Sequence, residues 1–101
     1  MEKASDLLTR AAQLLDERGK EYDDQAGRQE RSMGKTVAAF NVITGRDLRE
    51  AEGWLLLQLL KDVRQWSNPA RLHKDSAEDS IAYAALKAEA LLVEFGVPND
   101  L

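Results

Sequence analysis

Lys61 and Arg64 stand three residues apart, and Asp75, Asp79 and Tyr83 follow at steps of four, so each set shares one face wherever its segment is helical. Between them lies His73-Lys74-Asp75-Ser76, which gathers a titratable base, a cation, a carboxylate and a hydroxyl at a point with helix-opening signals. Cations so placed suit phosphate oxygens, the carboxylates suit a cation such as Mg²⁺, and the open N–H groups of a first helical turn favour an anion. Two readings stand side by side. In one, Lys61 and Arg64 meet Asp75 and Asp79 in a salt-bridge network that sets the register of two helices. In the other, Lys61, Arg64 and Lys74 hold the anionic oxygens of a phosphorylated ligand, while Asp75 and Asp79 orient it or hold Mg²⁺.

Other chemistries are excluded by residue type. His73 is the sole histidine and cysteine is absent, so multi-histidine centres, thiolate metal sites, disulfides and thiol nucleophiles fall away. Gly34-Lys35-Thr36 has the ending of a phosphate-binding loop, but that loop requires a glycine where Gln29 stands and a preceding strand.

The elements that must carry these residues read as four helices. Leu7, Leu8, Ala11, Leu14 and Leu15 recur at helical spacing, with Ser5 as N-cap and Gly19 as the terminating glycine. Lys20 to Gly27, with Tyr22 and Asp24, reads as a structured loop. A second helix is expected from about Gln25 to Thr44, burying Met33, Val37 and Phe40 and ended by Gly45. The third opens on Asp47-x-x-Glu50, a capping-box pattern, and its centre, Trp54 to Leu60, is apolar on nearly every face. That marks a core helix enclosed by neighbours or by a second subunit. Ser67-Asn68-Pro69 stops it, since proline cannot donate to the ladder and disfavours a helical residue before it. The fourth starts near Asp75 or Ser76 under overlapping capping boxes, presents Ile81, Ala84, Ala85, Ala88, Leu91 and Leu92, and closes at Gly96 and Pro98. With no strand pattern and no internal repeat, residues 1–101 are expected to form one all-α domain, a four-helix bundle-like unit whose helices associate between subunits.

Composition narrows the partners. The 101 residues are 44% hydrophobic and 32% charged, a globular balance, and a domain this small gains from association of chains, so a homo-oligomer is expected. The net charge of −4 argues against a nucleic-acid partner, because phosphate neutralisation needs a basic footprint. Charge is nevertheless uneven: Lys61 to Lys74 carries +3, and Asp75 to the end carries −5. The start lacks a basic region followed by an apolar run, and the longest apolar stretch is too short for a bilayer, so a cytoplasmic protein with no membrane partner is expected.

In order and spacing, Lys20-Glu-Tyr22-Asp-Asp24, Glu30-Arg31, Leu-Leu-Lys61-Asp-Val-Arg64, Asn68-Pro69 and His73-Lys74-Asp75-Ser76-Ala-Glu-Asp79-Ser-Ile-Ala-Tyr83 resemble a family of small phage and prophage proteins described as a domain of unknown function. That family in turn resembles the all-α nucleotide pyrophosphohydrolases of the MazG and dimeric dUTPase type. Those enzymes enclose a nucleotide between the helices of two or more subunits and hold Mg²⁺ with a Glu-x-x-Glu pair and a Glu-x-x-Asp pair. The resemblance implies an oligomeric phage protein in the host cytoplasm that binds a nucleotide or nucleotide-derived molecule through Tyr22, Asp24, Lys61, Arg64, Asn68, His73, Lys74, Asp75, Asp79 and Tyr83. This chain departs from the enzymes where the first acidic pair belongs, offering Leu57, Gln58, Lys61 and Arg64 instead. Phosphoanhydride hydrolysis needs convergent carboxylates around the metal, so the residue types favour binding, as in sequestering a messenger of host defence, over MazG-like Mg²⁺-dependent cleavage. A helical interaction module that occludes a host protein, anchored by Trp54 or Trp66, is the competing class, and it predicts an exposed apolar patch in place of a polar cleft.

Overall fold

The computed structural model of the chain describes residues 1–22 and 32–96, the side chains of 18–22 excepted. Four helices are found there and no strand: α1 (Ala4–Tyr22), α2 (Ser32–Thr44), α3 (Glu50–Trp66) and α4 (Lys74–Glu94). None of them is long and apolar enough to cross a membrane. Helices α3 and α4 form the central antiparallel hairpin, with α1 packed on α4 and α2 packed on α3.

Each boundary has a local cause, and several differ from the sequence-based expectation. Ser5 lies inside α1, where Asp6 Oδ2 accepts from the Lys3 backbone N–H at 3.0 Å. Gly19 does not end α1, which continues to Tyr22; a helix tolerates an interior glycine at a cost of about 1 kcal/mol. The expected start of the second helix near Gln25 lies outside the described residues, whereas its end at Gly45 is as expected, with the positive φ of 72° that only glycine adopts freely. Asp47 is not the cap of α3. The Asn41 side chain clamps Leu48, accepting from its N–H at 2.7 Å and donating to its carbonyl at 2.9 Å. The chain therefore stays extended through Arg49 (φ −93°, ψ 159°), and Glu52 Oε1 accepts from the Arg49 N–H at 2.8 Å. Only the Glu52 half of a capping box is formed, two residues later than Asp47-x-x-Glu50 suggests, since the Arg49 guanidinium has no acceptor for the other half.

The same device shapes the α3–α4 turn. Gln65 Oε1 accepts from the His73 N–H at 2.7 Å, and Gln65 Nε2 donates to the Arg71 carbonyl at 2.9 Å. The chain is thereby carried past Arg71 to His73, whose Nδ1 accepts from the Ser76 N–H at 3.3 Å. His73 is the N-cap of α4, and Lys74, not Asp75 or Ser76, is its first residue.

The core is small. Among the described residues the buried apolar set is Ala11, Met33, Val37, Ala51, Trp54, Ala82, Leu86 and Ala90, half of it alanine. Trp54, 4% exposed, stacks on Tyr83 with ring centroids 5.8 Å apart. Helix α2 approaches α3 at Gly53, where an added Cβ would sit against Met33 Sδ and within 2.9 Å of Val37 Cγ2. Phe40, expected in the core, is exposed. So is most of the apolar centre of α3: only Ala51, Gly53 and Trp54 of that helix are buried.

Candidate functional site

Helix α3 carries two opposed stripes. Trp54, Gln58, Lys61 and Gln65, spaced by four, three and four, face α4 and the turn: Trp54 stacks on Tyr83, Gln58 Oε1 accepts from Lys87 Nζ at 2.8 Å, Lys61 pairs with Asp79, and Gln65 holds the turn. Leu56, Leu59, Val63 and Trp66, spaced by three, four and three, point the opposite way and are exposed, Trp66 by 69%. The stripe facing its own chain is thus largely polar below Trp54, and the outward stripe is wholly apolar.

The polar cluster is a packed contact. Lys61 Nζ lies 3.0 Å from Asp79 Oδ2, with side-chain exposures of 13% and 21%, and sits 6.0 Å from the Tyr83 ring centroid, at the outer reach of a cation–π contact. Lys61, Asp79 and Tyr83 are brought together as their spacing suggests. Arg64 is exposed and makes no ion pair among the described residues; Asp75 and Lys74 are exposed too. Lys74 lies near enough to Glu2 to help hold that carboxyl below its ordinary value, although the Arg10 hydrogen bond is the larger cause. Asn68 is exposed in the turn, its carbonyl accepting from the Arg71 N–H at 3.1 Å. Tyr22 is the last residue of α1 and its side chain is not described; Asp24 lies outside the described residues.

Among the described residues, Asp75 and Asp79 do not come together with a third carboxylate. Asp79 is turned onto Lys61, Asp75 is exposed, Glu78 is bound by Arg10, and among the described residues no three His, Cys, Asp or Glu side chains gather to hold a metal ion. A divalent cation needs several oxygen ligands at once.

Several contacts were not foreseen from spacing. Arg10 bridges Glu2 and Glu78, tying α1 to α4, and its guanidinium is held above its ordinary value by Glu2 first and then by Glu78. Arg49 pairs with Glu94 and Glu52, which join the start of α3 to the end of α4, and it is raised chiefly by Glu94. A groove of about 540 Å³ between α1 and α4 is lined by Leu8, Ala11, Leu15, Ile81 and Ala84, with Gln58 and Ser80 as polar members and no cation from the α3–α4 turn. Only the outer stripe of α3 had a readable signal, a second three-and-four periodicity out of phase with Trp54, Lys61 and Gln65.

Among the described residues the geometry is all-helical, with Lys61–Asp79, Gln58–Lys87 and Trp54–Tyr83 matched inside the α3–α4 hairpin and an exposed apolar stripe on the outside of α3. No family model matches the chain, and neither does any curated protein or solved structure with which it was compared.

Proposed function

We propose that this chain is a helical association module that works by laying the outer face of α3 against another protein chain. The two-sidedness of α3 carries the reading: Trp54, Gln58 and Lys61 are matched inside the chain and Leu57 packs on the core, while Leu56, Leu59, Val63 and Trp66 on the other side are exposed. A helix that is apolar nearly all round is stable only when enclosed. Fifteen large apolar side chains are exposed among the described residues, far more than scattered surface leucines account for. Oligomerisation of this chain and docking onto a host protein both fall within the reading. The test is fluorescence of an apolar-surface dye together with light scattering, for the parent and for Leu59→Glu. A Leu59→Glu chain that keeps its helical content but changes neither dye binding nor mass would remove the proposal.

A second reading follows the resemblance to phage proteins and to MazG-type enzymes: a nucleotide or nucleotide-derived phosphorylated molecule held at the α3–α4 turn, sequestered by an assembled oligomer in the host cytoplasm. One observation favours it, the exposed Arg64 and Arg71, neither in an ion pair among the described residues. Guanidinium groups so placed suit phosphate oxygens. Calorimetry against nucleoside triphosphates, cyclic oligonucleotides and ADP-ribose derivatives tests it: binding that falls at least about tenfold in Arg64→Ala, the value of one charge-assisted contact, supports it, and silence across the panel at millimolar ligand ends it.

A further inference from the structure

We infer that the occupant of the outer α3 face is the same face of a second copy of this chain, with the two α3 helices antiparallel about a two-fold axis that crosses them near residue 61. The inference rests on the association reading above and names its partner.

The stripe Leu56, Leu59, Val63 and Trp66 follows the alternating three-and-four spacing of helices that pack at a shallow angle, and Leu55 and Leu60 widen it, all six side chains being exposed. A Trp alone offers about 150–250 Å², so the six together present on the order of 600 Å² per copy. Doubled, that passes the roughly 1,000 Å² expected of a specific interface. A closed dimer needs one patch complementary to itself, and an aliphatic stripe is such a patch. The small, alanine-rich core makes a permanently available partner valuable, and the chain's own copy is always present at its own concentration.

Direction follows from Glu52, which lies on the same line one turn before Leu56 and is committed to Arg49. Parallel pairing in register sets Glu52 beside Glu52 of the second copy, like charges at an apolar edge, and aligns the two helix dipoles. Antiparallel pairing about residue 61 carries each Glu52 beyond the end of the opposing helix, opposes the dipoles, and sets Trp66 against Leu56 and Val63 against Leu59, large against smaller.

Because the chain has no cysteine, introduced thiols report the geometry without background. Under mild oxidation Leu56→Cys alone stays uncrosslinked, since its counterpart lies about 15 Å away along the pair at 1.5 Å per residue, whereas an equimolar mixture of Leu56→Cys and Trp66→Cys gives a covalent dimer. Light scattering of the parent at tens of micromolar gives the mass of two chains. Crosslinking of Leu56→Cys with itself overturns the antiparallel arrangement. A parent of one-chain mass overturns self-pairing; if its dye binding still falls in Leu59→Glu, the face is open to a different chain and the association reading survives, and if dye binding is unchanged both fall.

Discussion

Lys61 and Asp79 form the ion pair that registers α3 against α4, 3.0 Å apart with both side chains mostly enclosed, one turn from the Trp54–Tyr83 stack. Of the two readings open for the Lys61, Arg64, Asp75 and Asp79 stripe, the structure realises the architectural one at this pair and leaves Arg64 outside it. A mostly enclosed pair gains little over an apolar replacement, but loss of one partner strands a charge.

Lys61→Ala and Asp79→Ala should therefore each destabilise the fold by roughly 1–3 kcal/mol, which lowers the melting temperature by about 5–15 °C for a domain of this size. The double variant should recover part of the loss. Arg64→Ala should stay within a few degrees of the parent. Thermal melts of the four proteins decide the matter, and strictly additive single losses would show that the pair is not coupled.

At Gly53, alanine would improve helix propensity by about 1 kcal/mol, yet its methyl would have to share space with Met33 and Val37, both buried. Overpacking of that kind costs about 1–3 kcal/mol, so Gly53→Ala should be destabilising on balance. Met33→Ala, which empties the space, should make the Gly53→Ala change less costly. A stabilised Gly53→Ala chain would show that α2 does not close on α3 there.

Much of this architecture was legible, and the failures share a cause. Four helices, the stop at Ser67-Asn68-Pro69 and the glycine ends at Gly45 and Gly96 follow from local chemistry that operates on adjacent residues. The starts of α3 and α4 were misplaced because they are set from a distance, by the amides of Asn41 and Gln65 gripping backbone groups six to eight residues on. His73, a base by residue type, is occupied as the cap of α4. Leucines cover nearly every face of α3 in the sequence, but hydrophobicity alone does not say which face its own chain fills. That was decided by Trp54, Lys61 and Gln65, whose partners lie on α4 and in the turn.

Acid should weaken the start of α3. Glu52 is held below the ordinary carboxylate value of 4.5, first by the hydrogen bond from the Arg49 N–H and then by the Arg49 side chain. A carboxyl depressed in the folded state contributes stability that is complete above its unfolded value and lost as pH falls through the folded one. The melting temperature should accordingly drop between about pH 5 and pH 3, and Glu52→Gln should flatten part of that slope while leaving the neutral-pH fold intact. Because the group is exposed, added salt should shrink the difference. Parallel pH profiles for the parent and Glu52→Gln would count against a charged cap.

Ser76 should tolerate loss of its hydroxyl better than any other polar residue of α4. It is 1% exposed, its backbone N–H is taken by His73 Nδ1, and its Oγ has no hydrogen-bond partner. A buried hydroxyl without a partner forfeits its bonds to water, a penalty of about 1–3 kcal/mol, and serine is also a poorer helix former than alanine. Ser76→Ala removes the unsatisfied atom while keeping the Cβ and the backbone cap, and so should raise the melting temperature or leave it unchanged. His73→Ala, one turn earlier, removes the acceptor for the Ser76 N–H and should cost about 1 kcal/mol, as cap losses do. The opposite ranking, with Ser76→Ala destabilising by more than His73→Ala, would mean that the hydroxyl has a bonded partner in solution, such as an ordered water, and that the first turn of α4 is held by that bond as much as by the imidazole.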